Sequence, residues 1–121
     1  MPVNKILVVD DSPTERHVLS ELLVSNGYRV VLADSGEQAV LLAKQEMPDL
    51  ILMDVVMPGM NGYQATRTIS REAATRQIPI IMCTSKGQET DKIWGIRQGA
   101  HDYLVKPLDH TLLLGKIAAI A

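Results

Sequence analysis

Apolar residues gather in five short runs, "KILVV", "RVVLA", "LILMD", "IPIIMCT" and "YLV", each bounded by polar or turn-forming residues. Runs of this length, rich in β-branched and aliphatic side chains, read as buried strands. Between them the period changes. Val18, Leu19, Leu22 and Leu23, and then Ala39, Leu42 and Ala43, recur at the spacing that lines one face of a helix. The alternation predicts β1 4–10, α1 13–26, β2 28–33, α2 36–46, β3 49–54, α3 62–72, β4 78–84, α4 89–98, β5 102–105 and α5 109–120. Strands apolar along their whole length are covered on both faces, so the fold class expected is α/β, a doubly wound parallel sheet with helices on either side.

Local signals agree with this division. Ser12-Pro13-Thr14-Glu15 has the form of a capping box with proline at the first helical position. Gly27 after "LLVSN" and Gly99 after α4 are placed as helix stops.

A chain of 121 residues closes one core, and residues 1–121 are expected to form a single domain with no output domain attached. With 46% hydrophobic and 21% charged residues the composition excludes disorder. The net charge of -2 exerts no general pull on nucleic acid or anionic membranes. Nucleic-acid binding is therefore set aside, and Arg67, Arg71 and Arg76 read as an exposed charged face. The opening "MPVNKILVVDD" holds too short an apolar run for a signal peptide or a membrane span. Cys83 is the only cysteine, which rules out an internal disulfide; its setting in "IPIIMCTS" is that of a buried filler. A cytoplasmic location fits.

Function is sought where open parallel sheets bind ligands, beyond the carboxyl ends of their strands. Asp10 and Asp11 end β1, Asp54 ends β3, Thr84 and Ser85 end β4, and Lys106 follows β5. By contrast Asp49 and Asp102 begin their strands, Asp49 roughly 16 Å from Asp54 along β3, and both read as solvated strand starts. Carboxylates converging on one rim repel, by about 3 kcal/mol for a pair ~5 Å apart at an effective dielectric of about 20. A hard divalent cation offsets that, Mg²⁺ first and Mn²⁺ second. The competing reading has Asp10 or Asp11 merely capping α1, a task Ser12 already performs. Taken singly, Lys106 would be a solvated strand-end lysine and Thr84 a β-forming filler. Set together around acids and a cation they are equipment for holding a phosphoryl group. Asp54 stands centrally, a candidate nucleophile that would carry the group as an acyl phosphate.

The segments "VVDDS", "LILMDVVMPGMNG", "CTS" and "DYLVKP" resemble the receiver domain of two-component response regulators, over the whole chain and in order. The resemblance implies a flavodoxin-like sheet of order 2-1-3-4-5, with two helices on one face and three on the other. It implies Asp54 as phosphoacceptor, Asp11 as direct metal ligand, Asp10 as an acid reaching the metal through water, and Val56 as donor of a backbone carbonyl to it. Thr84 matches the switch hydroxyl, Tyr103 the switch aromatic and Lys106 the phosphate-pairing lysine. On phosphorylation Tyr103 is expected to rotate into space that Thr84 vacates. A cis Lys106–Pro107 bond is one of two open alternatives. Two positions depart from the common pattern: Ser85 replaces a smaller residue and narrows the room for the moving hydroxyl, and apolar Val56 cannot orient an attacking water through its side chain.

Longer matches, "DDSPTE", "MDVVMPGMNGYQATR" and "SKGQETDKIWGIRQGAHDYLVKP", are similar to stand-alone regulators of type IV pilus twitching motility. They imply a cognate histidine kinase of the chemotaxis type. An output partner, such as a pilus motor protein, would be met by the α4, β5 and α5 face.

A phosphate sink or relay with no output partner stays open, whereas a Mg²⁺-dependent aspartyl-phosphate phosphohydrolase fits poorly. Such enzymes place D-x-D on one strand and carry a cap domain; this chain has D-D, a nucleophile on another strand and no residues left for a cap. An enzyme with turnover is not expected. Gly95 within α4 costs about 1 kcal/mol relative to Ala and marks a helix of low local stability. Trp94 beside it is read as core packing in preference to a partner contact. The histidines His17, His101 and His110 lack metal-ligand spacing and are placed in solvent. Met57-Pro58-Gly59-Met60 shapes the turn after Asp54.

Overall fold

The structure, a computed structural model, describes residues 2–120. Strands β1 (Lys5–Val9), β2 (Arg29–Ala33), β3 (Leu50–Met53), β4 (Ile80–Thr84) and β5 (Asp102–Val105) form one parallel sheet in the order β2-β1-β3-β4-β5. Helices α1 (Pro13–Ser25), α2 (Gly36–Glu46), α3 (Gly62–Arg71), α4 (Glu89–Gln98) and α5 (His110–Ala118) connect and follow them. The predicted elements all occur, most of them shortened by a residue or two at an end.

Alternation along the strands splits the core into two layers. Ile6, Val8, Leu50, Leu52, Ile81, Cys83 and Leu104 point to one face and pack against Leu19 and Leu23 of α1 and Leu113 and Ile117 of α5. Leu7, Val9, Ile51, Met53 and Ile80 point to the other, against Ala39 and Ala43 of α2 and Ala65 and Ile69 of α3. A third group, Val55, Met82, Ala100 and Tyr103, sits beneath α4 on that second face. Burying each large aliphatic side chain is worth roughly 1.5–3 kcal/mol, which is why strands with no exposed side settle in the middle of the sandwich. Cys83 is buried as expected, its thiol pushed up to about 12 by desolvation.

Several expectations need correction. Trp94 is 49% exposed, not core, because the residue that α4 buries is its neighbour Gly95. The glycine answers a packing demand: a Cβ there would lie 2.8 Å from the Met82 sulfur and 2.9 Å from the Tyr103 ring. The capping box at α1 is half formed. Ser12 Oγ accepts from the Glu15 N–H at 3.3 Å, but the Ser12 N–H donates to Asp10 Oδ1 at 3.0 Å, so Glu15 is freed to turn toward Lys106. Nor are Asp49 and Asp102 merely solvated. Asp49 Oδ2 accepts the N–H groups of Asn4 and Lys5, fastening the start of β1, and Asp102 pairs with Lys116 at 2.7 Å. The three histidines are exposed as expected, His17 paired with Glu21 one turn on.

Candidate functional site

Strand register sets the acids side by side. Val9 pairs with Met53, and the ladder runs one step further as the Asp54 N–H donates to the Val9 carbonyl at 3.0 Å. Asp10 and Asp54 thus leave the sheet on adjacent strands. On the far side β4 pairs with β5, and the Lys106 N–H donates to the Thr84 carbonyl at 2.8 Å. Since β3 is the central strand, Asp54 has Asp10 on one flank and Thr84 on the other.

All three of those side chains are buried, while Asp11 is exposed at the rim. Asp10 is held at both oxygens, by the Ser12 N–H and by Lys106 Nζ at 2.8 Å. Lys106 Nζ also stands 3.8 Å from Asp54 Oδ2 and 3.8 Å from Glu15 Oε2. The Lys106–Pro107 peptide is cis. Asp54 Oδ1 accepts the Val55 N–H at 2.8 Å. Burial, and then the charge of Asp10, push the Asp54 carboxyl up to about 6, against partial relief from Lys106, the Val55 amide and the Thr84 hydroxyl. Burial alone would weaken the charge on Lys106, but the Asp10 hydrogen bond and the fields of Asp54, Asp10 and Glu15 outweigh it and hold its pKa above the usual value.

The charges here do not balance within the protein. Asp10, Asp11 and Asp54 each offer an oxygen, and these oxygens lie within 4.8 Å of one another. Lys106 is shared among Asp10, Asp54 and Glu15, and Arg16 bonds the Asp10 backbone carbonyl and not a carboxylate, so negative charge stays in excess at the three aspartates when all are ionised. An all-oxygen donor set with that excess fits a hard divalent cation such as Mg²⁺.

The structure brings Asp10, Asp11, Asp54 and Lys106 together, on supports that sequence reasoning missed. Gly62, first residue of α3, packs directly on the Asp54 backbone carbonyl. Arg16 donates to the Asp10 carbonyl at 2.7 Å. Tyr63 reaches Tyr103, the hydroxyls 3.4 Å apart. Tyr103 itself is already turned inward, 8% exposed, with its hydroxyl donating to the Lys86 carbonyl at 2.7 Å. Glycine after "MPGMN" was a signal for Gly62; nothing local marked Tyr63 or Arg16.

The sheet order and the acid cluster with its lysine at the carboxyl rim place the site where doubly wound parallel folds bind their ligands. Residues 6–118 match the model of the response regulator receiver domain, and the chain belongs to that family. Protein PilH of Pseudomonas aeruginosa is 54% identical over 116 residues, spanning 96% of this chain and 96% of that protein. Among solved structures, the receiver domain of sensor histidine kinase PA1611 from Pseudomonas aeruginosa superposes with a TM-score of 0.90 at 36% identity, covering 98% of this chain and 97% of that one. That structure carries a magnesium ion coordinated in its active-site cleft. Chemotaxis protein CheY4 of Vibrio cholerae gives a TM-score of 0.91 at 32% identity, covering 98% and 99%. Among the described residues no helix is long and apolar enough to cross a membrane.

Proposed function

We propose that this chain is a stand-alone response regulator that takes a phosphoryl group onto Asp54 from a chemotaxis-type histidine kinase and signals by changing its partner-binding surface. The observation that carries the reading is the convergence on buried Asp54 of Asp10, Asp11 and Lys106 from separate strand ends. In the transfer, an Asp54 carboxylate oxygen bonds to phosphorus as the phosphorus–nitrogen bond of a phosphohistidine breaks, and the imidazole keeps the bonding electron pair. Asp10, Asp11, Asp54 and the Val56 backbone carbonyl are the groups that would hold Mg²⁺. When bound, the ion supplies positive charge to the phosphoryl oxygens.

The remaining work belongs to the chain. Lys106, now paired with Asp10, moves its ammonium toward the new anion, and the Thr84 hydroxyl donates to it. Tyr103 and the α4–β5–α5 face, where Ile93, Trp94, Ile96 and Val105 stand exposed, carry the change to an output partner. The 54% identity to PilH over 96% of both chains supports a stand-alone regulator acting on type IV pilus twitching motility.

The test is mass measurement after incubation with acetyl phosphate, with and without Mg²⁺, for wild type and Asp54→Ala. A metal-dependent gain of one phosphoryl group, absent in the variant, is the result expected. An equal gain in Asp54→Ala overturns the assignment.

A further inference from the structure

Helix α4 is attached to the body in an unusual way. Its only buried residue is Gly95, which has no side chain to anchor it, while Ile93, Trp94 and Ile96 are each about half exposed. Two tyrosines supply the attachment. The Tyr103 ring fills the space that a Cβ on Gly95 would need. The Tyr63 hydroxyl, from α3, lies 3.2 Å from the Asp91 carbonyl in the first turn of α4 and 3.4 Å from the Tyr103 hydroxyl.

Counting protons orders the network. Each phenol has one to give. The Tyr103 proton goes to the Lys86 carbonyl, its shortest contact at 2.7 Å, so the Tyr103 oxygen faces Tyr63 as an acceptor. The single Tyr63 proton is then shared between the Asp91 carbonyl and the Tyr103 oxygen. Lys86 closes the circuit toward the acid rim, because its N–H points at Thr84 Oγ1 at 3.4 Å. An unbroken path therefore runs from Thr84 through Lys86, Tyr103 and Tyr63 to Asp91.

We propose that Tyr63 is a positioning residue that couples α4 to the state of Asp54, holding Tyr103 inward and tying helix and strand to the segment that carries Thr84. The inference rests on the phosphoacceptor reading above. Tyr63 touches no reacting atom; it acts by making a displacement of Thr84 and Lys86 felt at α4. Without its hydroxyl the ring still packs, but α4 loses its hydrogen-bonded bridge to Tyr103 and keeps only the Gly95 contact, so a movement of Thr84 is passed to the helix weakly.

Trp94, the only tryptophan, stands next to Gly95 and reports on α4. The experiment adds beryllofluoride with Mg²⁺, a stable mimic of the phosphoryl group, and reads two signals: the bound ¹⁹F resonance for occupancy of Asp54, and Trp94 emission for the helix. Wild type is expected to show both. Tyr63→Phe should keep the bound ¹⁹F resonance while its Trp94 change falls at least threefold. Tyr103→Phe should behave alike, and the double variant should lose little more; Tyr103→Phe alone, which removes the other hydroxyl of the same contact, carries the test if Tyr63→Phe does not fold. A full Trp94 response in Tyr63→Phe overturns the proposal, as does a silent Trp94 in wild type with the ¹⁹F resonance present. A wild type whose ¹⁹F spectrum matches that of Asp54→Ala removes the phosphoacceptor reading first, and the coupling with it.

Discussion

The Cα of Gly62 faces the backbone carbonyl of Asp54 so closely that no side chain fits between them. The Gly62 N–H donates to the Val55 carbonyl at 2.9 Å, so the first turn of α3 and the end of β3 are pinned as one unit. Its φ is not in the left-handed region; space alone selects glycine here. Gly62→Ala must push α3 away from the residue on which the chemistry depends. We expect a loss of about 2–3 kcal/mol in urea unfolding, the usual cost of forcing extra volume into a packed site, together with slower phosphorylation. Unchanged stability would show that the contact relaxes freely.

How much of this was legible beforehand depends on range. The rim acids and Lys106 could be placed because strand ends are read locally and parallel sheets collect ligands at one edge. Features that depend on long-range packing could not. Nothing local marks Tyr63, since its partner Tyr103 is 40 residues away and only tertiary packing joins them. Trp94 was misplaced because a lone large apolar residue reads as core, whereas α4 buries the neighbouring glycine under a tyrosine ring. Ser12 and Glu15 matched the pattern of a reciprocal cap, yet Asp10 claims the Ser12 amide. Competition for a donor is invisible to a motif.

Asp54 predicts a pH signature in metal-free protein. Its carboxyl is raised by burial and by Asp10 to about 6 from 3.8, so the folded state holds the proton more tightly than the unfolded one. That stabilisation is complete below 3.8 and is lost as pH rises through 6. With EDTA present, Asp54→Asn should exceed wild type by about 2–3 kcal/mol at pH 8, at about 1.4 kcal/mol per pH unit between the two values. Near pH 3 the curves should coincide, and added Mg²⁺ should narrow the gap at pH 8. A gap that does not vary with pH would contradict the assignment.

The Asp102–Lys116 pair predicts the opposite slope. Burial works to raise the Asp102 pKa, but hydrogen bonds from Lys116 and the Tyr103 amide outweigh it and leave it lowered. Its contribution is present above the unfolded value and fades as pH falls through the depressed one. Because both side chains are partly exposed, Asp102→Asn should cost only about 0.5–1 kcal/mol at pH 7, with the difference vanishing toward pH 2. Thermal unfolding across that range measures it.

Val56 is 56% exposed beside the acid rim and offers no polar group to an incoming water. Val56→Asn supplies one. Loss of the acyl phosphate, followed by ³²P release, should therefore be severalfold faster in the variant, with stability little changed. Equal lifetimes would make the side chain at 56 irrelevant to hydrolysis.

Cys83 has a practical consequence for following these motions. Sealed inside the sheet and unwilling to ionise, with its pKa near 12, the native thiol offers maleimide dyes almost nothing to attack. A cysteine placed on the outer side of α4 or α3 would be the sole reactive handle, so donor and acceptor labels can be installed without first stripping the chain of its own sulfur.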